Sequence, residues 1–243
     1  MIKRFNRYEI KYSIPAASMR HLMPDLMRFL RPDPHSTESG FYKVASLYFD
    51  TPGLDCYRNK IDGLLFRRKL RIRIYPDAPN APAFVEIKQR INRTVQKRRL
   101  AMTLPDAYRL CSGDMRFELS EPDDQEVADE IHCLVRSLRL VPQNVISYTR
   151  QAWEGYFMDP GLRVTFDTMI RTRRASFDLE QPRREMLAYP AGKAVMEVKA
   201  NERVPHWLVT LLARHECNLD RISKYCHGIS QIMQQERLRW ETV

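Results

Sequence analysis

Charged and apolar residues alternate along several short segments of this chain, and the alternation constrains the fold more than any other feature. Glu9 and Lys11 fall on one face of the first segment, while Tyr8, Ile10 and Tyr12 fall on the other. The segment after Phe66 places four cations on one face: Arg67, Lys69, Arg71 and Arg73. Further pairs with this spacing are Glu86 with Lys88, Lys97 with Arg99, Tyr148 with Arg150, and Glu197 with Lys199, and one further face carries Arg163, Thr165 and Asp167. A period of two predicts β-strands, each with one charged face.

The charged faces have two interpretations. For any single strand, the ordinary one is an antiparallel sheet whose charged face is solvated. Taken together, however, the polar faces are almost wholly charged and rich in Arg and Lys, and amphipathic helices elsewhere need an apolar surface to cover. A closed barrel with charged faces inward and helices outside meets these conditions. Like charges in such an interior repel one another and lose hydration, so the arrangement predicts a bound anion.

Phosphate fits this anion site because guanidinium groups bind its oxygens through paired hydrogen bonds. The interspersed carboxylates would then hold Mg²⁺ or Mn²⁺, hard cations that bind through oxygen and bridge phosphates. The chain has only 8 glycines, and none form a Gly-rich phosphate loop. Phosphate binding must therefore come from side chains.

Helical periodicity predicts helices over 16–30, 126–140, 205–217 and 223–239, and a shorter helix over 105–111. The segments 32–39, 76–82, 121–126 and 172–184 have the composition of loops. We therefore expect an α+β protein in which the helices flank the strands.

The balance of charge is basic, with 40 Lys and Arg against 30 Asp and Glu and a formal net charge of +10 over 243 residues. This excess predicts a polyanionic partner. Five scattered cysteines without a Cys-x-x-Cys pair, and no recognisable leader, predict a reduced, cytoplasmic protein. No apolar run approaches the roughly 18 residues that span a bilayer, which leaves a membrane-bound partner open.

Eight segments in a fixed order carry a family resemblance. They are 42–51 (YKVASLYFDT), 69–75 (KLRIRIY), 85–88 (VEIK), 97–99 (KRR), 148–150 (YTR), 163–167 (RVTFD), 196–199 (MEVK) and 221–228 (RISKYCHG). Over about 4–233 the chain resembles the catalytic domain of the vacuolar transporter chaperone (VTC) polyphosphate polymerases. These are triphosphate tunnel metalloenzymes, also called the CYTH-like superfamily.

The resemblance implies one tunnel domain over 1–243, a closed barrel of eight antiparallel strands with a charged interior. It implies transfer of the terminal phosphate of a nucleoside triphosphate, ATP in the first instance, to polyphosphate with Mn²⁺ or Mg²⁺. The implied phosphate-binding residues are Lys11, Arg71, Arg73, Lys88, Lys97, Tyr148, Arg150, Arg163, Lys199, Arg221 and Lys224. Glu197 and Glu9 are the implied metal ligands, with Glu86 and Asp167 as further candidates, and catalysis is assigned to Lys11, Arg71, Arg73 and Glu197.

Three alternatives stay open. Hydrolytic members of the superfamily carry Glu-x-Glu-x-Lys where this chain has Arg7-Tyr-Glu-Ile-Lys11, which leaves the number of metals and the choice between polymerase and triphosphatase open. Another tunnel-enzyme activity, such as nucleotide cyclase, is the second alternative. A non-catalytic module that binds polyphosphate or RNA is the third. Nucleic acid is not expected, since we place Tyr8, Tyr12, Phe66 and Phe84 on apolar faces, away from the charges where bases would stack.

Overall fold

The alternating segments form strands, and the helical segments form helices, in a computed structural model of the protein. It describes residues 7–241 except 35, 37–39, 79, 93, 115, 157, 182 and 202. The strands are β1 Arg7–Pro15, β2 Leu30–Pro32, β3 Phe41–Asp50, β4 Phe66–Ile74, β5 Ala83–Ile91, β6 Thr94–Met102, β7 Val141–Gly155, β8 Arg163–Arg173, β9 Met186–Leu187 and β10 Lys193–Asn201. The helices are α1 Ala16–Leu26, α2 Asp55–Ile61, α3 Leu104–Ser112, α4 Pro122–Leu138, α5 His206–Arg214 and α6 Lys224–Glu241. The α+β class is confirmed.

The strands are hydrogen-bonded in the order β1-β10-β8-β7-β3-β4-β5-β6, while β2 pairs with β7 and β9 with β8. The strand pairs of known register are antiparallel. The sheet thus differs from the expected closed barrel of eight strands, because it has ten strands and its path is open at β1 and β6 over the described residues. Alternation fixes which face of a strand is charged, but closure depends on pairing between the first and last strands, which alternation does not encode.

The chain divides into two compact units, each assembled from distant segments. The first unit comprises residues 1–43, 148–170 and 189–224, and the second comprises 44–147, 171–188 and 225–243. Each unit has its own buried apolar cluster, with Phe166 and Met196 in the first and Leu70, Ile72 and Val85 in the second. The uncharged faces of the alternating strands supply these cores. The expectation of one domain over 1–243 stays a prediction.

Three helical segments differ from expectation. Helix α4 begins at Pro122, inside the expected loop, because proline suits the first helical turn and the Asp123 and Asp124 carboxylates there favour a helix N-terminus. Helix α2 has seven residues, too few for an apolar period, and its first amides bond to the Asp50 carboxylate instead. Helix α1 ends at Leu26, and Leu30–Pro32 forms β2. No helix in the described part of the chain is both long and apolar enough to cross a membrane.

Gly228 provides a test of packing in the second unit, because helix α6 approaches the sheet closely there. A Cβ at this position would lie 2.5 Å from Ile146 Cδ1 and 2.6 Å from Asn144 Nδ2. We expect Gly228→Ala to lower the free energy of unfolding by about 1–3 kcal/mol, measured by urea denaturation. Gly192→Ala is the control, because a Cβ there meets nothing within 4 Å and its effect should stay within about 0.5 kcal/mol. Equal effects of the two substitutions would contradict the packing argument.

Candidate functional site

A buried carboxylate organises the charged face of β4, β5 and β6 in the second unit. The strand register sets Glu86 directly opposite Arg71 on one side and Arg99 on the other. Glu86 Oε2 accepts hydrogen bonds from Arg71 Nε at 2.7 Å and Nη2 at 2.5 Å. Its Oε1 accepts from Arg99 Nε at 2.9 Å and pairs with Lys97 Nζ at 2.5 Å. Burial raises the pKa of Glu86, but the surrounding cations, Arg71 and Arg73 foremost, hold it well below its usual range, so the carboxylate is ionised.

The same row of side chains continues onto β3 through Tyr48, which lies opposite Arg71. Arg71 Nη1 donates a hydrogen bond to Tyr48 Oη at 2.8 Å, and Arg73 Nε donates to Ser46 Oγ at 3.3 Å. Burial raises the pKa of Tyr48, but the charges of Arg71, Arg73 and Lys69 outweigh burial and lower it to about 8. The positive potential at this row therefore stabilises negative charge.

A second row on this face consists of like charges. Lys69 lies directly opposite Lys88, and Lys88 lies directly opposite Lys97. Like charges in this relation destabilise a sheet unless counter-charge is present. The Glu86 carboxylate reaches Lys97, and the Lys69 ammonium lies 5.2 Å from the centre of the Tyr225 ring. This face therefore carries more cations than carboxylates.

Several residues of this face were not assigned roles from the sequence. Arg99 shares the Lys97 face by alternation, so the pattern alone could have included it. Tyr48 lies in an almost fully buried strand, where alternation gives no signal. Asp50 is fully buried and accepts four hydrogen bonds, including one from Tyr225 Oη at 2.5 Å. Tyr225 is 175 positions away from Asp50 in the sequence.

The first unit holds a second charged cluster around Glu197. Glu197 lies opposite Lys11, and Glu9 lies opposite Lys199. Lys199 Nζ is 2.6 Å from Glu197 Oε1, while Lys11 Nζ is 3.6 Å from Glu197 Oε2 and 3.3 Å from Glu9 Oε1. Lys11 also donates to the Ile222 carbonyl at 3.3 Å. The structure thus brings together all four of these sequence-predicted residues, with one ammonium between two carboxylates.

Another buried carboxylate, Asp167, lies in the same unit. Arg150 donates to both of its oxygens, from Nε at 2.7 Å and from Nη2 at 2.8 Å, and Lys224 Nζ lies 2.5 Å from Oδ2. Both cations also lie over the Tyr148 ring, at 5.2 Å and 5.0 Å from its centre. Burial raises the pKa of Asp167, but Arg150 and Lys224 lower it to about 2. The assignment of Tyr148 as a hydroxyl donor stays a prediction, and its ring has a cation-binding role here.

The remaining predicted phosphate-binding residues are Arg163, which lies directly opposite Lys199, and Arg221. Arg163 forms an ion pair with the buried carboxylate of Asp33 and donates to Tyr42 Oη at 3.2 Å. Arg221 is exposed in the segment before α6. Phe84, expected on an apolar face, instead lies among the charges: it is opposite Arg73, and the Arg99 guanidinium is 4.3 Å from its ring centre. That expectation was wrong, because Phe84 shares the alternation of Glu86 and Lys88.

Glu197 and Glu9 of the first unit could hold a divalent metal only if further ligands came from another molecule or from water. Among the described residues no group of three or more Asp, Glu, His or Cys side chains could hold a metal by itself. Mg²⁺ typically uses only one or two carboxylates, with substrate phosphates and water as the other ligands. Glu197 and Glu9, which share Lys11 as a neighbour, form such a pair.

Comparison with known proteins gives one family and a set of related folds. The model of the VTC domain family matches residues 6–233. A candidate adenylyl cyclase from Hippeastrum, described as having a dominant triphosphatase activity, superposes with a TM-score of 0.54 at 19% identity, covering 92% of this chain and 95% of its own. A candidate adenylate cyclase from Bacillus halodurans superposes with a TM-score of 0.52 at 15% identity, covering 90% and 95%. At these identities the two structures show a shared fold. No match was found among curated proteins.

Glu86→Gln tests whether the buried carboxylate holds the cation-rich face together. The substitution keeps the size of the side chain but leaves Arg71, Lys97 and Arg99 without their shared counter-charge. We expect the free energy of unfolding to fall by about 3–5 kcal/mol in urea denaturation. Glu130→Gln is the matched control, since Glu130 pairs with Arg98 where both side chains are partly exposed, and its cost should be about 1 kcal/mol or less. Equal losses in the two variants would refute the role of Glu86.

Tyr48 should report the potential at Arg71 and Arg73. We expect one tyrosine to ionise near pH 8 in an absorbance titration of the folded protein, and this step to be missing in Tyr48→Phe. Addition of tripolyphosphate should move the step to higher pH, because a bound anion at the arginines disfavours the phenolate. Persistence of the step in Tyr48→Phe would show that another tyrosine ionises there.

Proposed function

This chain belongs to the VTC domain family, and we propose that it is a polyphosphate polymerase. In the proposed reaction the terminal oxygen of a polyphosphate chain attacks the γ-phosphorus of a nucleoside triphosphate, ATP in the first instance. The bond between the β- and γ-phosphates breaks as the new phosphoanhydride bond forms, and the nucleoside diphosphate leaves. One phosphoanhydride bond replaces another, so no further reactant is needed.

The observation that carries the proposal is the cation excess around Glu86. One buried carboxylate is shared by Arg71, Lys97 and Arg99, and two more lysines, Lys69 and Lys88, lie in the adjacent row. A face on which cations outnumber carboxylates favours an anion with several negative oxygens. A triphosphate meets this need, because guanidinium groups bind phosphate oxygens through paired hydrogen bonds and ammonium groups bind them as point charges. We assign Arg71, Arg73, Lys88 and Lys97 to the donor triphosphate.

The first unit supplies the other roles. We assign Glu197, with Glu9, to Mn²⁺ or Mg²⁺, which when bound would neutralise charge on phosphate oxygens. Lys11 and Lys199 contribute positive charge beside these carboxylates. We assign the acceptor chain to the basic set Arg150, Arg163, Arg221 and Lys224, with Tyr148 between two of its cations.

These basic residues and carboxylates suit phosphoryl transfer, because the reaction needs positioning and charge neutralisation more than covalent participation by the protein. Arg71 and Arg99 are already oriented by Glu86, so phosphate binding requires little ordering of their side chains. Preorganised donors of this kind stabilise the charge that develops in the transition state.

A tunnel-type triphosphatase is the second candidate. It would use the same phosphate-binding residues, with water in place of the acceptor chain. The Hippeastrum protein, which shares the fold, is described as having such an activity. The two candidates differ in the acceptor alone, so the products must distinguish them.

Incubation of the purified protein with ATP and Mn²⁺ or Mg²⁺ tests the proposal, with products resolved on a polyphosphate-staining gel and free phosphate assayed in parallel. We expect a ladder of long polymer, reduced about 10²–10³-fold in Glu197→Gln and in Arg71→Ala because each removes charge stabilisation from the transition state. Arg237→Ala is the control: this exposed residue pairs with Glu241 in the same helix, and its substitution should leave the rate unchanged.

The other outcomes are distinct. Free phosphate without polymer would establish the triphosphatase. Absence of both products, with metal-independent binding of polyphosphate or RNA, would show a binding module and overturn the catalytic assignments.

A further inference from the structure

The second unit exposes five large apolar side chains at one end of its strands. They belong to the end of α2, the loop that follows it, the start of β4 and the end of β5: Ile61, Leu64, Leu65, Phe66 and Ile91. We call this set the apolar tip. Leu65 is the most exposed of them, at 68%. Scattered exposed apolar residues are ordinary, but a contiguous set marks an interaction surface.

Backbone contacts make the apolar tip one surface. Gly63 has a φ of +74°, which reverses the chain directly after α2, and the Leu64 amide bonds back to the Asn59 carbonyl at 3.0 Å. The Asn92 amide then bonds to the Leu65 carbonyl at 2.8 Å, and Phe66 lies directly opposite Ile91. The loop after α2 and the β5–β6 turn are thus held side by side.

Basic residues form a border around the apolar tip. Asp62 is the only acidic residue in 58–68 and 89–92, against the basic residues Arg58, Lys60, Arg67, Arg68 and Arg90. Arg67 lies directly opposite Arg90, and the Arg68 guanidinium lies 4.9 Å from the centre of the Phe66 ring. Exposed apolar side chains within a basic border are the combination that binds the interface of an anionic bilayer, where headgroups meet the cations and acyl chains meet the apolar groups.

We propose that the apolar tip docks the second unit onto an anionic lipid surface. The charge of the border decides between occupants: a second copy of this chain would bring the same cations against one another, whereas anionic headgroups are complementary to them. A bilayer interface also adapts to a projecting tip without a groove of matching shape. None of the residues of the apolar tip or of its basic border is assigned to phosphate binding, so the proposal does not depend on the polymerase activity.

Cosedimentation with vesicles tests the proposal. The full chain is mixed with vesicles of phosphatidylcholine alone or of phosphatidylcholine with phosphatidylserine. We expect binding to the anionic vesicles only, and about a tenfold weaker partition for Leu64→Ser/Leu65→Ser, because two apolar side chains no longer enter the interface. Leu219→Ser is the matched control: Leu219 is 70% exposed but belongs to the first unit, and its loss should change nothing. The urea midpoint of each variant shows that it remains folded.

Three results would overturn the proposal. Wild-type protein could fail to bind anionic vesicles. The double variant could bind them as well as wild type, which would reduce the interaction to the general attraction of a chain with net charge +10. Sedimentation equilibrium could reveal a wild-type dimer that the double variant dissociates, which would assign the apolar tip to self-association.

Discussion

Glu86 carries a carboxylate with no exposed surface between Arg71, Lys97 and Arg99. An unpaired charge in such a place would cost several kcal/mol, and so would three adjacent cations without a counter-charge. Each side of the cluster therefore requires the other. Because the strand register sets Glu86 directly between Arg71 and Arg99, the backbone pairing of β4, β5 and β6 and the charge pairing of their side chains favour the same arrangement.

The ratio of cations to carboxylates differs between the charged clusters of the two units. Around Glu86 the cations outnumber the carboxylates, and the resulting positive electrostatic potential lowers the pKa of Tyr48. In the first unit, Glu9 and Glu197 flank Lys11, so carboxylates nearly match the cations. A cation-rich cluster favours a polyanion, while a pair of carboxylates favours a hard divalent cation. The proposed division of roles between phosphate and metal thus rests on local charge.

Sequence periodicity predicted the charged strand faces and most helices because both follow from the side-chain spacing of regular elements. It placed Glu86 and Arg71 on strand faces, but their contact depends on the register between β4 and β5, which each strand's pattern leaves open. Asp50 could not be recognised, since its bond to Tyr225 spans 175 positions. Helix α2 was not predicted either. Its N-terminal amides bond to Asp50, which lies outside the helix and precedes it by five residues, so the residues of the helix do not show this contact. The sequence thus predicted the secondary-structure elements and the charged strand faces better than the contacts between side chains of different elements.

Phosphate binding has different consequences at the different arginines. Arg150 gives Nε and Nη2 to Asp167, and Arg163 is paired with Asp33, so a phosphate that replaced either carboxylate would separate a buried carboxylate from its paired arginine. At Glu86 the carboxylate has three cations, and a phosphate that drew one away would leave the others in place. Tight phosphate binding therefore requires less rearrangement at the Glu86 cluster. This difference favours the Glu86 cluster as the place of the donor triphosphate in the proposed reaction.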